Sequence, residues 1–160
     1  MYIDKTKLTF TNVKHSKVSE IKDLASVVVR KNYTSFLGED NVNYFINSGM
    51  SDKEINDHLD NMIVCEYNDE VVGICVYLDD LLHLIMVKYG YQGQGIGKVI
   101  IDYVENEMFK KHKIIKLETF EKNYPTITFY KKNGWFEEDK QYSELTGGYI
   151  LTFKKRKSSL

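Results

Sequence analysis

The sequence predicts an α/β (α+β) chain whose sheet mixes antiparallel and parallel neighbours. Three observations carry this. First, residues 62–67, 71–78 and 81–87 are β-rich runs joined only by Asn68-Asp69-Glu70 and Asp79-Asp80, so three strands follow one another as tight hairpins. Second, the run LLHLIMV at 81–87 leads through Gln92-Gly93-Gln94-Gly95-Ile96-Gly97-Lys98 into an amphipathic helix. Third, residues 113–120 read as a further strand, and the intervening helix makes it parallel to 81–87.

The remaining elements follow in order. Lys7 to Val13 alternates, with Leu8 and Phe10 on one side, and reads as a first strand. Val18 to Phe36 carries Val18, Ile21, Leu24, Ala25 and Val28 near one face and reads as a helix ended by Gly38. Glu39 to Asn47 is a second helix. Ser51-x-x-Glu54 has the form of a capping box, placing a third helix over Asp52 to Asn61. In the long helix, Ile96, Val99, Ile100, Tyr103, Val104 and Met108 form the apolar stripe, with Lys98, Asp102 and Glu105 between them. Pro125 suits the first turn of another helix, to Lys132, which Asn133-Gly134 ends. Trp135 to Tyr142 and Tyr149 to Lys155 close the chain as two strands around Gly147-Gly148.

Composition narrows the function classes. The 160 residues suit one domain, 1–160, with its own core; residues 153–160 read as a basic, flexible tail. The net charge of −1 gives no global footprint for nucleic acid. No apolar run reaches the roughly 20 residues of a membrane helix, and the start MYIDKTKLTF has no signal-peptide pattern. Cys65 and Cys75 lack metal or redox spacing and read as buried thiols of a cytoplasmic protein. His15, His58 and His112 have no partners at metal-ligand spacing, so no metal is expected. The acids Glu39, Asp40, Asp52, Glu54, Asp57 and Asp60 read first as a solvated helix face.

The glycine turn at 92–98 carries the chemistry. A strand that turns through glycines into a helix presents unpaired N–H groups and the positive end of the helix dipole to an anion. The inference is a phosphate or pyrophosphate held by Gln92, Gly93, Gln94, Gly95, Ile96, Gly97 and Lys98. A P-loop does not fit, because Val99 follows Gly97-Lys98 and position 92 is not glycine. A dinucleotide-binding module is weakened, because Gly93-x-Gly95-x-Gly97 is one residue short and hairpins precede it, although Glu118 stands where a ribose-binding acid is expected. Gln92, Gly95 and Gly97 match Gln/Arg-x-x-Gly-x-Gly/Ala. Here the chain resembles the GCN5-related N-acetyltransferases (GNAT), which hold the pyrophosphate of acetyl-coenzyme A on this turn.

A second stretch strengthens the resemblance. Asn123, then Phe129-Tyr130, then Asn133-Gly134-Trp135 looks like the family's segment after its fifth strand, with Trp135 where Phe is usual and Tyr89 where Pro is common. The two regions cover roughly 70–137. The resemblance implies the acyl-CoA N-acyltransferase fold: a mixed, centrally splayed sheet of about seven strands flanked by helices. It implies acetyl-CoA as co-substrate, an amine as acceptor, and allows a homodimer paired through late strands or helices. It also places Tyr130 as acid to the leaving thiolate and Asn123 on the pantetheine arm. The alternative for Tyr130 is a core-edge ring packed on the strand.

Acetyl transfer to an amine needs a proton acceptor. An amine of pKa about 10.4 is neutral only about once in 2,500 molecules at pH 7. His83, four residues before Val87, stands where many relatives carry Glu, and an imidazole with an unperturbed pKa of about 6.5 suits the task. Alternation puts it on the face of Leu81, Ile85 and Val87; packing on the sheet is the competing reading. The developing oxyanion needs N–H donors, for which the backbone of Met86 and Val87 is in place if the strand splays from its neighbour. Tyr33, Tyr44 and Tyr67 are candidate acceptor-pocket linings, with packing as their default. The expected function is acetyl transfer from acetyl-CoA to a primary amine, a small molecule such as a polyamine or amino sugar before a protein. A non-catalytic acyl-CoA sensor is the alternative.

Overall fold

Hairpin chemistry and the two apolar faces of the strands generate one seven-stranded sheet. The computed structural model describes residues 2–159. In chain order it holds β1 (Thr9–Asn12), α1 (Val18–Leu37), α2 (Glu39–Asn47), α3 (Met50–Asp57), β2 (Met62–Tyr67), β3 (Glu70–Leu78), β4 (Leu81–Val87), α4 (Ile96–Met108), β5 (Ile114–Phe120), α5 (Tyr124–Lys132), β6 (Phe136–Ser143) and β7 (Gly148–Arg156). The sheet order is β1-β2-β3-β4-β5-β7-β6, and only β4 and β5 are parallel. Asn68 (φ 50°) and Asp69 (φ 67°) make the β2–β3 turn, both in the left-handed region that a tight hairpin demands.

Both faces of the sheet are covered. Helices α1–α3 pack on one through Ile21, Leu24, Val28, Val42 and Ile55, against Met62, Val64, Ile74 and Met86. The other face takes α4 and α5, with Ile100, Ile101, Val104 and Tyr130 on Cys75, Leu82, Leu117 and Phe153. Gly73 lets α4 approach: a Cβ there would collide with Ile100 Cδ1. Cys65 and Cys75 are both buried, which pushes each thiol up to about 12 and leaves them protonated and inert.

Three local expectations are corrected. Ser51 does not cap: α3 starts at Met50 after a left-handed Gly49, and Ser51 is a buried residue inside the helix. Glu105 is no solvent-facing residue of α4 but is buried, accepting from Trp135 Nε1 (3.0 Å) and Lys155 Nζ (2.6 Å). The basic end is no tail as far as Arg156, because β7 pairs along β5 from Phe120↔Ile150 to Ile114↔Arg156, and Lys154 bridges to Glu138 at 2.8 Å.

Candidate active site

Parallel strands bond evenly when they run side by side. Here β4 and β5 pair only at Leu81↔Lys116 and Leu82↔Leu117. Beyond those residues the two strands diverge, and the centre of the sheet opens. The opening leads into a cleft of about 650 Å³, bordered by α1 through Val28 and Asn32 as well as by α4 and α5. Ile85, Met86 and Val87 form its β4 wall, Phe129 and Tyr130 its α5 wall, and Gln92, Gly93, Gly95, Ile96, Gly97 and Lys98 its far end. The fold thus collects most of the predicted residues in one place. Gln94 and Asn123 lie outside that lining, as does His83.

The alternation of the β3–β4 ladder decides which amides face the opening. Lys88 N donates to Val72 O at 2.8 Å, so Met86, paired with Ile74, also directs its amide into β3. Val87, and Ile85 two residues earlier, turn their amides the other way, toward the diverging β5. Of the two expected donors, Val87 directs its amide toward the opening. Met86 does not, since its amide serves the ladder and its side chain is buried among α1–α3. Ile85 was not anticipated.

At the far end, Gly93 (φ +77°) and Gly95 (φ +83°) turn the chain into α4. Val99 is the first amide of the helix to bond back, to Gly95 O at 3.3 Å, which leaves Ile96, Gly97 and Lys98 as free donors. Gly97 has a second duty: a Cβ there would sit 3.2 Å from the Phe129 ring. The Lys98 ammonium is paired with Asp102 at 2.6 Å. A cation does reach the turn from elsewhere. Lys5, in a short 3₁₀ turn before β1, lies so close that a Cβ on Gly95 would be 2.7 Å from its Nζ. No local signal in residues 1–12 reveals this.

Tyr130 is 7% exposed and lines the cleft. Burial raises its phenol well above the ordinary value, so it keeps its proton. Its ring meets Phe129 and Trp135 edge-on at 5.3 and 5.7 Å. Trp135 in turn donates to Glu105, a bond that phenylalanine at this position would lack. Tyr89 also gains a role: the Lys31 ammonium of α1 lies 5.2 Å from the centre of its ring. Asn123 is buried at the start of α5 and its side chain does not cap the helix.

His83 sits where the β3–β4 register shifts, between Val76↔Leu84 and Tyr77↔Leu82. The extra residue reverses the alternation. Ile85 and Val87 pack on the α4 side, whereas His83 meets α3. The expected shared face is therefore wrong. His83 Nε2 lies 2.6 Å from Glu54 Oε1, and its ring stacks on His58 at 4.5 Å. His58, expected to have no partner at metal-ligand spacing, belongs to this cluster, and Glu54 is drawn from the supposed solvated face. His83 also borders a smaller hollow of about 200 Å³, with Leu82, Glu118 and Phe120, which begins where β4 and β5 part. Tyr33 and Phe36 of α1 pack edge-on and tilted against Phe120 at its edge. Tyr44 is exposed, and Tyr67 lies across β1 with its hydroxyl 3.3 Å from Asp4 N.

The family model described as "Acetyltransferase (GNAT) family" matches residues 24–135. The chain belongs to the GNAT acetyltransferase family. Solved structures agree in fold. The PaiA N-acetyltransferase of Thermoplasma acidophilum, solved with coenzyme A, superimposes with a TM-score of 0.77 at 16% identity, over 94% of this chain and 99% of that one. A GCN5-related N-acetyltransferase of Rhodopseudomonas palustris gives 0.79 at 12% identity, over 98% of each chain. The NatC complex bound to Gag peptide and CoA gives 0.65 at 15% identity, over 95% of this chain and 99% of that one. No curated protein matches. The seven-stranded order with consecutive antiparallel β2, β3 and β4 is that of a GNAT domain and not a dinucleotide-binding βαβ fold. Among the described residues no helix is long and apolar enough to cross a membrane.

Proposed function

We propose that this GNAT domain transfers an acetyl group from acetyl-CoA to a primary amine. The divergence of β4 from β5, opening onto a cleft that ends at the glycine turn, carries the reading. The pyrophosphate would lie on the amides of Ile96, Gly97 and Lys98 with Lys5 beside it, and the pantetheine arm would run between the strands toward Asn123. The amine nitrogen attacks the thioester carbonyl carbon, and the carbonyl oxygen takes the charge against the Val87 amide. The C–S bond then breaks and the thiolate takes the Tyr130 proton. His83 accepts the proton of the amine, directly or through water, with Glu54 orienting its ring.

A small acceptor is favoured by the small hollow at His83, where Glu118 supplies a negative charge for an ammonium group. The peptide-bound NatC structure indicates that the same fold also accommodates a peptide. The test is release of free thiol from acetyl-CoA across a panel of polyamines, amino sugars, amino acids and peptides. Turnover with one amine class supports the reading and names the acceptor. Coenzyme binding without thiol release from any of them would point to a non-catalytic acyl-CoA sensor.

The turn gives a sharper prediction. Gly95→Ala forces a side chain into a left-handed backbone and into the space of the Lys5 ammonium. Acetyl-CoA binding is expected to weaken about tenfold, roughly 1.4 kcal/mol, by calorimetry. Gly147→Ala, with φ +70° and open space on the β6–β7 turn, shares the strain but not the cradle and should bind normally. Equal losses in both variants would remove the cradle from the account.

A further inference from the structure

We propose that Glu54, His58 and His83 form a binding site for a divalent transition-metal ion, with zinc the best match. Glu54 and His58 are four residues apart at the end of α3, which puts them on one side of the helix. The register shift in β4 brings His83 to the same point. One ligating atom from each residue lies within 4.8 Å of the others. Glu54 Oε1 is 2.6 Å from His83 Nε2, and the two imidazole rings stack at 4.5 Å with 24° between their planes.

The donor set decides the ion. Two imidazoles and one carboxylate suit zinc, copper, nickel or iron, whereas magnesium and calcium call for oxygen donors. Zinc bonds of about 2.0 Å in tetrahedral geometry set ligands about 3.3 Å apart. The short Glu54–His83 contact must lengthen and the widest spacing must shrink, which side-chain rotation supplies in a partly exposed cluster. The ring of His58 is already oriented: its Nδ1 donates to the Glu54 carbonyl at 2.8 Å, and a backbone partner of this kind commonly fixes a ligating histidine. Three protein ligands leave a fourth position open, so the ion would be exchangeable.

Filling the site has a consequence for the proposed reaction. An ion on His83 Nε2 moves the ring proton to the other nitrogen and leaves no lone pair to accept the amine's proton, so zinc is an inhibitor. This consequence rests on His83 being the base; the binding itself does not.

The test is a calorimetric titration of zinc chloride into the full chain after chelator treatment and desalting. One equivalent should bind, and His58→Ala and Glu54→Gln should each weaken binding at least tenfold while keeping their circular dichroism and melting temperature. His112, paired with Asp79 at 3.1 Å on another surface, supplies the control, and His112→Ala should bind as the parent does. Cobalt(II) in place of zinc should give visible absorption bands that disappear in His58→Ala. Absence of binding, or binding unaffected by Glu54→Gln and His58→Ala, overturns the site. Zinc that binds here without slowing acetyl transfer would uphold the site and remove His83 as the base.

Discussion

Tyr130→Phe is expected to lower kcat about 100-fold while leaving acetyl-CoA affinity within about twofold. The edge-on contacts of the ring with Phe129 and Trp135 survive the change, and the melting temperature should hold. Burial raises the phenol above its ordinary value, so in the folded protein it stays protonated through neutral and mildly alkaline pH. The rate deficit should therefore be constant from about pH 6 to 9, since the acid does not titrate in that window. Steady-state rates with a saturating amine provide the measurement. An undiminished kcat would leave Tyr130 as a packing residue.

Glu105→Ala is expected to destabilise the chain by roughly 3 kcal/mol, because it leaves two donors without their acceptor. Its two carboxylate oxygens hold Trp135 Nε1 and Lys155 Nζ, and Lys155 also reaches Asn133 O at 2.7 Å. The node joins α4, the end of α5 and β7. For a chain of this size the loss corresponds to a fall in melting temperature of about 10 °C. Glu105→Gln should fall between, keeping an acceptor for the indole and losing the charge. Because Trp135 packs on Tyr130, the alanine variant should also loosen the cleft wall. A melting temperature within a degree of the parent would show that the node is solvated.

The parts of the site written in contiguous sequence were legible before the structure. The glycine turn and the helix after it announce themselves through glycine placement and helical periodicity, and the Tyr130 segment through its family resemblance. The seven-strand splayed sheet followed from the family resemblance joined to strand order. What could not be read depends on contacts between distant segments. One inserted residue at His83 reverses the face that strict alternation assigns, and sequence periodicity does not show a bulge. Glu54 fitted a capping motif with Ser51 and was thereby assigned to the backbone, although its neighbour at four residues, His58, was the available clue. Lys5 approaches the turn from about 90 residues away in sequence. Glu105 matched a polar face until Trp135 and Lys155 closed over it. The run from Lys154 to Lys157 has the composition of a solvated tail, yet β5 needed a partner and took it as far as Arg156.

The central claim is that the gap between β4 and β5, closed at one end by the glycine turn, binds acetyl-CoA. A thermal shift titration with acetyl-CoA, run beside NADH, tests it most directly. At about 100 times its dissociation constant, a ligand bound only by the folded state adds about 2.7 kcal/mol. The account predicts a rise of roughly 5–10 °C with acetyl-CoA and none with NADH. A rise with NADH alone would contradict it and make the turn a dinucleotide site after all.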